Sequence, residues 1–100
     1  PALVLSDYQA VERDFAFVVP ESVAAADVVK AAAGADKVLI ETVNVFDVYQ
    51  GKGVAEGSKS LAIAVRLQPK DKTLTEPEIE AVAQKIVAAV AKATGGSLRG

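Results

Sequence analysis

Between Lys59 and Gly95 the chain changes its hydrophobic period once, and that change restricts the fold more than any other feature. Leu61, Ile63, Val65 and Leu67 recur at every second residue, the period of a strand with one buried face. Ile79, Val82, Ala83, Ile86, Val87 and Val90 then recur at the spacing of a helix with one buried stripe. Thr75, with Glu78 three residues later, supplies a capping box for that helix, and Gly95-Gly96 ends it. A sheet face and a helix stripe that are each apolar on one side bury those sides against one another, so this part of the chain forms a two-layer unit.

The residues before it follow the same logic. Phe15, Phe17 and Val19 alternate with Ala16 and Val18, which predicts a first strand over residues 14–19 ended by Pro20. Ser22 is placed to cap an Ala-rich helix with Val28, Val29 and Ala32 on its apolar face and Gly34 as its stop. Residues 38–49 are β-branched and aromatic without glycine or proline, and predict a long second strand. Gly51, Gly53 and Gly57 interrupt regular structure, so the second and third strands form a hairpin with a mobile tip. Residues 97–99 add a short last strand. The order β, α, β, β, α, β predicts an α+β split βαβ arrangement, a four-stranded antiparallel sheet with both helices on one face. One hundred residues support a single core, so residues 1–100 are read as one domain, with 1–13 as a lead-in and 14–99 as the core.

Composition removes several function classes. With neither cysteine nor histidine, the chain lacks thiolate nucleophiles, disulfides, imidazole bases and the usual zinc ligands. No apolar run approaches the roughly 20 residues of a membrane span, and no signal peptide opens the sequence. The chain begins at Pro1 and contains no methionine, so a longer parent is expected. A net charge of -2 argues against binding dominated by phosphate attraction. The charge is uneven, however. Residues 52–72 hold five basic side chains (Lys52, Lys59, Arg66, Lys70, Lys72) against two acidic ones (Glu56, Asp71). That local excess suits either an anionic partner or a solvated loop and strand edge.

With both helices on one face, the other face of the sheet is open and its side chains come from the outward phase of each strand. Taking Phe15, Phe17, Phe46, Val48, Leu61, Ile63 and Val65 as inward leaves Ala16, Val18, Asp47, Tyr49, Ser60, Ala62, Ala64 and Arg66 outward. A Tyr49 ring among small neighbours suits a flat base, because bases stack on aromatic side chains. Asp47 accepts hydrogen bonds from the N–H groups of a base edge, and Ser60 donates or accepts beside it. Read without a ligand, Tyr49 is a half-buried strand-end tyrosine and Asp47 a solvated charge.

Four stretches carry a resemblance: Ala10-Val11-Glu12-Arg13-Asp14-Phe15-Ala16-Phe17-Val18-Val19; Phe46-Asp47-Val48-Tyr49-Gln50-Gly51; Lys59-Ser60-Leu61-Ala62; and Leu67-Gln68-Pro69 through Asp71-Lys72-Thr73-Leu74-Thr75 into Glu78-Ile79. In this order, from about Tyr8 to the end, the chain is similar to the anticodon-binding domain that closes the β subunit of bacterial phenylalanyl-tRNA synthetases. The resemblance implies a ferredoxin-like βαββαβ fold and binding of the anticodon stem-loop of phenylalanine tRNA. It places the family's stacking tyrosine, which receives the first anticodon base, on Tyr49. The base-edge aspartate falls on Asp47, the serine partner on Ser60 and the small residue of the first strand on Ala16. Arg13 matches the family's strand-one arginine, with RNA contact and an ion pair to Asp14 or Glu12 both open. Gln50 replaces a basic residue common in the family, with Lys52 nearby to compensate; Lys59 and Arg66, taken from the basic stretch and not from the resemblance, complete the expected RNA contacts.

By the same resemblance this domain is non-catalytic and holds no cofactor or metal. Its parent is expected to be a cytoplasmic α2β2 ligase using ATP and magnesium at sites outside this chain, with no membrane or DNA partner. Two other readings remain. An acylphosphatase-like enzyme needs an arginine and an asparagine near the sheet edge, for which Arg13 and Asn44 are the candidates, although Asn44 belongs to the inward phase unless a bulge shifts it. A small-molecule regulatory or oligomerisation module of the same fold instead buries apolar surface between copies.

Overall fold

Residues 9–69 and 73–99 are described by a computed structural model. The lead-in residues 1–8, and Lys70, Asp71 and Lys72 of the basic stretch, lie outside the described residues. Strand β1 (Val11–Pro20) pairs antiparallel with β3 (Ser58–Leu67) over its whole length, from Val11 opposite Leu67 to Pro20 opposite Ser58. Strand β2 (Ile40–Tyr49) lies on the far side of β3, and the two-residue β4 (Ser97–Leu98) lies on the far side of β1. The sheet order is therefore β2-β3-β1-β4, with every neighbouring pair antiparallel.

Helices α1 (Ala25–Ala33) and α2 (Glu76–Thr94) complete the βαββαβ order predicted from hydrophobic period. Val28 and Ala32 of α1 join Ile79, Val82, Ile86 and Val90 of α2 in one core with Phe15, Phe17, Val19, Leu61, Ile63, Val65 and Leu67. Phe15 and Phe17, two residues apart and so on one face, stack with ring centroids 6.1 Å apart.

Capping differs between the two helices. At α2 the predicted box forms: Thr75 Oγ1 accepts from the Glu78 N–H, and Glu78 Oε1 accepts from the Thr75 N–H at 2.9 Å. Gly95 ends the helix in the left-handed region, φ 77°, where an L side chain is strained. At α1, Ser22 does not cap. The Val23 N–H donates to the Pro20 carbonyl, and this turn delays the helix so that Ala24, which has no capping side chain, takes the cap position. Gly34 does stop α1, in the right-handed region.

Strand β2 departs from prediction twice. It starts at Ile40 instead of residue 38 because the Asp36 carboxylate accepts from the N–H groups of Val38 and Leu39, both at 3.1 Å, and holds them in a turn. Burial pushes the Asp36 pKa up, but the two N–H donors and the Lys85 ammonium at 3.4 Å outweigh burial and hold it below the ordinary carboxylate value. A group with a depressed folded pKa contributes stability above its unfolded pKa of about 4, which is lost as pH falls through the lower folded value. Asp36→Asn should thus cost roughly 1 kcal/mol at neutral pH. Urea unfolding at successive pH values should show that gap closing below about pH 4; a gap constant down to pH 2 would contradict the assignment.

The second departure is a bulge. Val45 pairs with Ile63 and Asp47 with Ala62, leaving Phe46 as an extra residue. Phe46, expected inward, is consequently 58% exposed. Val48 keeps the inward phase opposite Leu61, yet at this outer edge of the sheet it is 51% exposed; Val43 and Val45, before the bulge, pack on the core. The same shift moves Asn44 opposite Ala64, into the outward phase.

Candidate functional site

The two registers align the outward residues in rows across the bare face of the sheet. Tyr49, Ser60, Val18 and Ser97 form the row nearest the β2–β3 hairpin. Asp47, Ala62 and Ala16 form the next, then Asn44, Ala64 and Asp14, and finally Thr42, Arg66 and Glu12. Neighbouring strands lie about 4.8 Å apart. The floor beside Tyr49 and Asp47 is therefore built of the short side chains of Ser60, Ala62 and Ala16, of which the two alanines are half-buried and Ser60 is buried. Four of the residues expected at the site, Tyr49, Asp47, Ser60 and Ala16, are thus brought together on the face predicted from alternation.

Tyr49 is 39% exposed, and no helix of the described residues lies over it, since both helices pack on the opposite face. Its orientation is set by the hairpin tip. The Tyr49 hydroxyl donates to the Lys52 carbonyl at 2.7 Å, and Gly51 (φ 122°) and Gly53 (φ 91°) supply the positive φ values that fold the tip back. A Cβ on Gly51 would stand 3.7 Å from the Tyr49 hydroxyl, so the turn rests on the edge of the ring. This tether fixes the ring through its polar end and leaves aromatic surface accessible.

Arg99 belongs to this site and was missed from sequence. Its N–H donates to the Ala16 carbonyl at 2.6 Å, extending the β1–β4 pairing by one residue. Its guanidinium reaches across β1, where Nη1 donates to Ser60 Oγ at 3.1 Å. Ser60, at 6% exposure, is accordingly a buried polar residue with a partner. The signal was present in the alternation of Ser97, Leu98 and Arg99, which gives Arg99 the phase of Ser97.

The remaining predicted residues lie elsewhere. Arg13 shares the phase of Phe15 and Phe17, so it sits on the helix side; its carboxylate partner is Glu76 at 3.7 Å, not Asp14 or Glu12, although its Nη1 also donates to the Glu12 carbonyl. Lys59 is opposite Val19, in the phase of the core face. Arg66 is on the bare face but two rows beyond Asp47, bound to Glu41 at 2.8 Å and Glu12 at 3.2 Å. Lys52 is exposed at the hairpin tip, next to Tyr49.

The arrangement is suited to binding and poorly suited to catalysis. Arg13 and Asn44, the acylphosphatase-like pair, fall on opposite faces of the sheet. A broad concavity between β1 and α2, lined by Arg13, Glu76, Ile79, Ala83, Val87 and Leu98, touches Ala16 and Arg99 but contains neither Tyr49 nor Asp47. Among the described residues no group of three or more acidic side chains is placed to hold a metal ion. No helix of the described residues is long and apolar enough to cross a membrane.

Comparison with known proteins identifies the family. The sequence model of the family described as "Ferredoxin-fold anticodon binding domain" matches residues 6–99. The chain is 65% identical over 100 residues to a phenylalanine–tRNA ligase beta subunit of Rhodopseudomonas palustris, covering all of this chain and 12% of that protein. It is 66% identical over 99 residues to the corresponding subunit of Ruegeria pomeroyi and 55% identical over 100 residues to that of Brucella abortus, covering 99% and 100% of this chain and 12% of each relative. The chain thus spans about an eighth of the length of these relatives. A match over nearly its whole length, on the fold that the family's description names, shows that the chain belongs to the ferredoxin-fold anticodon-binding domain family.

Proposed function

We propose that this chain is the anticodon-recognition module of a phenylalanine–tRNA ligase β subunit and that its bare sheet face receives an unstacked base of the anticodon loop. The observation that carries this reading is the Tyr49 ring, fixed by its hydroxyl to Lys52, open on its aromatic surface and set beside a floor of Ser60, Ala62 and Ala16. Stacking on such a ring is worth about 1–3 kcal/mol per base and does not require a basic surface. Asp47, one row along the same strand face, accepts from N–H groups on the edge of the stacked base. Ser60 stands between them and the Arg99 guanidinium, and Lys52, exposed at the hairpin tip beside the ring, is available to the RNA backbone. Arg13, Lys59 and Arg66 have at most a peripheral part in this arrangement.

In this reading the parent joins phenylalanine to its tRNA, using ATP and magnesium at sites outside this chain, as a cytoplasmic α2β2 assembly. The domain contributes tRNA selection and no chemistry. Tyr49→Ala should weaken binding of the phenylalanine tRNA anticodon stem-loop by the stacking increment, about 1–3 kcal/mol or roughly 5- to 150-fold, with unchanged thermal unfolding. Tyr49→Phe should retain most of the affinity. Calorimetric titration of both variants checks this, and equal affinity of Tyr49→Ala and the parent chain would remove the stacking role.

A second reading is favoured by one observation. Strand β2 is an edge of the sheet, and Val38, Phe46 and Val48 on or beside it are 68%, 58% and 51% exposed. Such an edge is a surface for assembly, with another copy or with a neighbouring domain. Sedimentation of the 100-residue chain as a tight dimer would favour assembly between copies.

A further inference from the structure

The geometry points to Arg99 as a ligand-contacting residue of the bare face, its guanidinium receiving the backbone phosphate of the nucleotide that stacks on Tyr49. This rests on the anticodon-loop reading and adds to it the charged group that an acidic domain needs for holding a polyanion. The other guanidiniums of the described residues are already paired: Arg13 with Glu76, and Arg66 with Glu12 and Glu41. Arg99 has no carboxylate within ion-pair distance among the described residues, and its guanidinium donates to the neutral hydroxyl of Ser60.

Position and orientation support the assignment. Ser60 is directly opposite Tyr49 across the β2–β3 pair, so Nη1 is held by the residue paired with the stacking tyrosine. The hairpin tip approaches from above, and a Cβ on Gly53 would stand 3.6 Å from Arg99 Nη2. The Gly53 backbone thus lies along one side of the guanidinium, and Arg99 is nonetheless exposed, which leaves other N–H donors accessible. A guanidinium carries five N–H donors in a planar fork that matches two phosphate oxygens, and one bond to Ser60 leaves the others available. Ser60 and the backbone bond to Ala16 hold the side chain in place before the ligand arrives, which lowers the ordering cost of binding. Buried Ser60 is thereby the anchor of Arg99 as much as a contact in its own right.

The test uses the 100-residue chain and the anticodon stem-loop of phenylalanine tRNA, with affinity measured across a salt series. Arg99→Gln keeps a side-chain donor for Ser60 and removes the charge. It should weaken binding by about tenfold at low salt, as expected for loss of a charged hydrogen bond. The slope of log affinity against log salt should fall by about 0.7, one phosphate on a single strand. A second arm replaces each phosphate flanking the first anticodon nucleotide with a neutral methylphosphonate. One such replacement should weaken the parent chain and leave Arg99→Gln unaffected, and that non-additivity is not expected of a merely structural role. An unchanged salt slope in Arg99→Gln, or equal sensitivity of both proteins to the neutral linkages, overturns the proposal. If Tyr49→Ala loses affinity while Arg99→Gln does not, only the phosphate contact fails. If the parent chain does not distinguish the stem-loop from one with a scrambled loop, both readings fail.

Discussion

Phe17→Ala should lower the unfolding free energy by about 3–5 kcal/mol, the cost of emptying an aromatic site that the surrounding core only partly refills. A domain of this size has about 5–15 kcal/mol in total, so much of the population approaches the unfolding threshold. The reason is positional. Phe17 has no solvent exposure, lies between Leu61 of β3 and Leu98 of β4 in the pairing, and stacks with Phe15 in the layer that receives both helices. Loss of that ring loosens the phase that sends Ala16 and Val18 to the opposite face. Urea unfolding measures the effect. A loss below about 1 kcal/mol would mean that Phe17 is not the centre of the core that the register describes.

Gly96→Ala has the next largest expected effect, about 1–3 kcal/mol of destabilisation together with weaker RNA binding. A Cβ at Gly96 would lie 2.5 Å from Val19 Cγ1 and 3.1 Å from both the Val18 carbonyl oxygen and Thr94 Oγ1. Val19 is buried and β-branched, so it cannot rotate away cheaply, and the Val18 carbonyl is backbone. Thr94 Oγ1 is itself engaged, donating to the Val90 carbonyl at 2.7 Å and accepting from the Gly96 N–H at 3.0 Å. The relief available is displacement of β4 from β1, which carries Arg99 away from Ser60. Gly95→Ala, at the left-handed cap, should destabilise by about 1–2 kcal/mol without the added binding loss. Thermal unfolding and stem-loop titration of the pair separate the two effects; a Gly96→Ala protein with parental stability would contradict the close approach.

Much of this was legible in the sequence because the signals were local. The alternation of Leu61, Ile63, Val65 and Leu67 fixes which residues of β3 face out, and the Thr75-Glu78 box marks the start of α2 within one residue. The phase of Phe15 and Phe17 was sufficient to place Ala16 correctly, and it equally implied that Arg13 faces the helices. Resemblance, which matches residue types and not directions, instead sets Arg13 beside the RNA contacts. In β2 the alternation is degenerate, because Val43, Val45, Phe46 and Val48 are all apolar and period alone does not reveal a bulge. Strict alternation puts Phe46 in the inward phase with Val48, whereas the bulge at this residue of an edge strand leaves it outside.

The Arg99 contact was harder to read for a different reason. It depends on a two-residue strand, a glycine that admits close approach, and a hairpin tip brought over from more than forty residues away in sequence. None of these is a periodic feature. Only the outward phase of Arg99 follows from its own neighbours, and the serine it reaches belongs to the strand two positions across the sheet.

The central claim is that one base of the loop leaves its stack to lie on Tyr49. It is tested most directly by titrating the parent chain and Tyr49→Ala with the anticodon stem-loop and with the same RNA made abasic at the first anticodon position. The account predicts that removing the base costs the parent chain about 1–3 kcal/mol and costs Tyr49→Ala close to nothing, since ring and base act as a pair. Equal losses in the two proteins, or none in the parent, would show that the ring and that base do not meet.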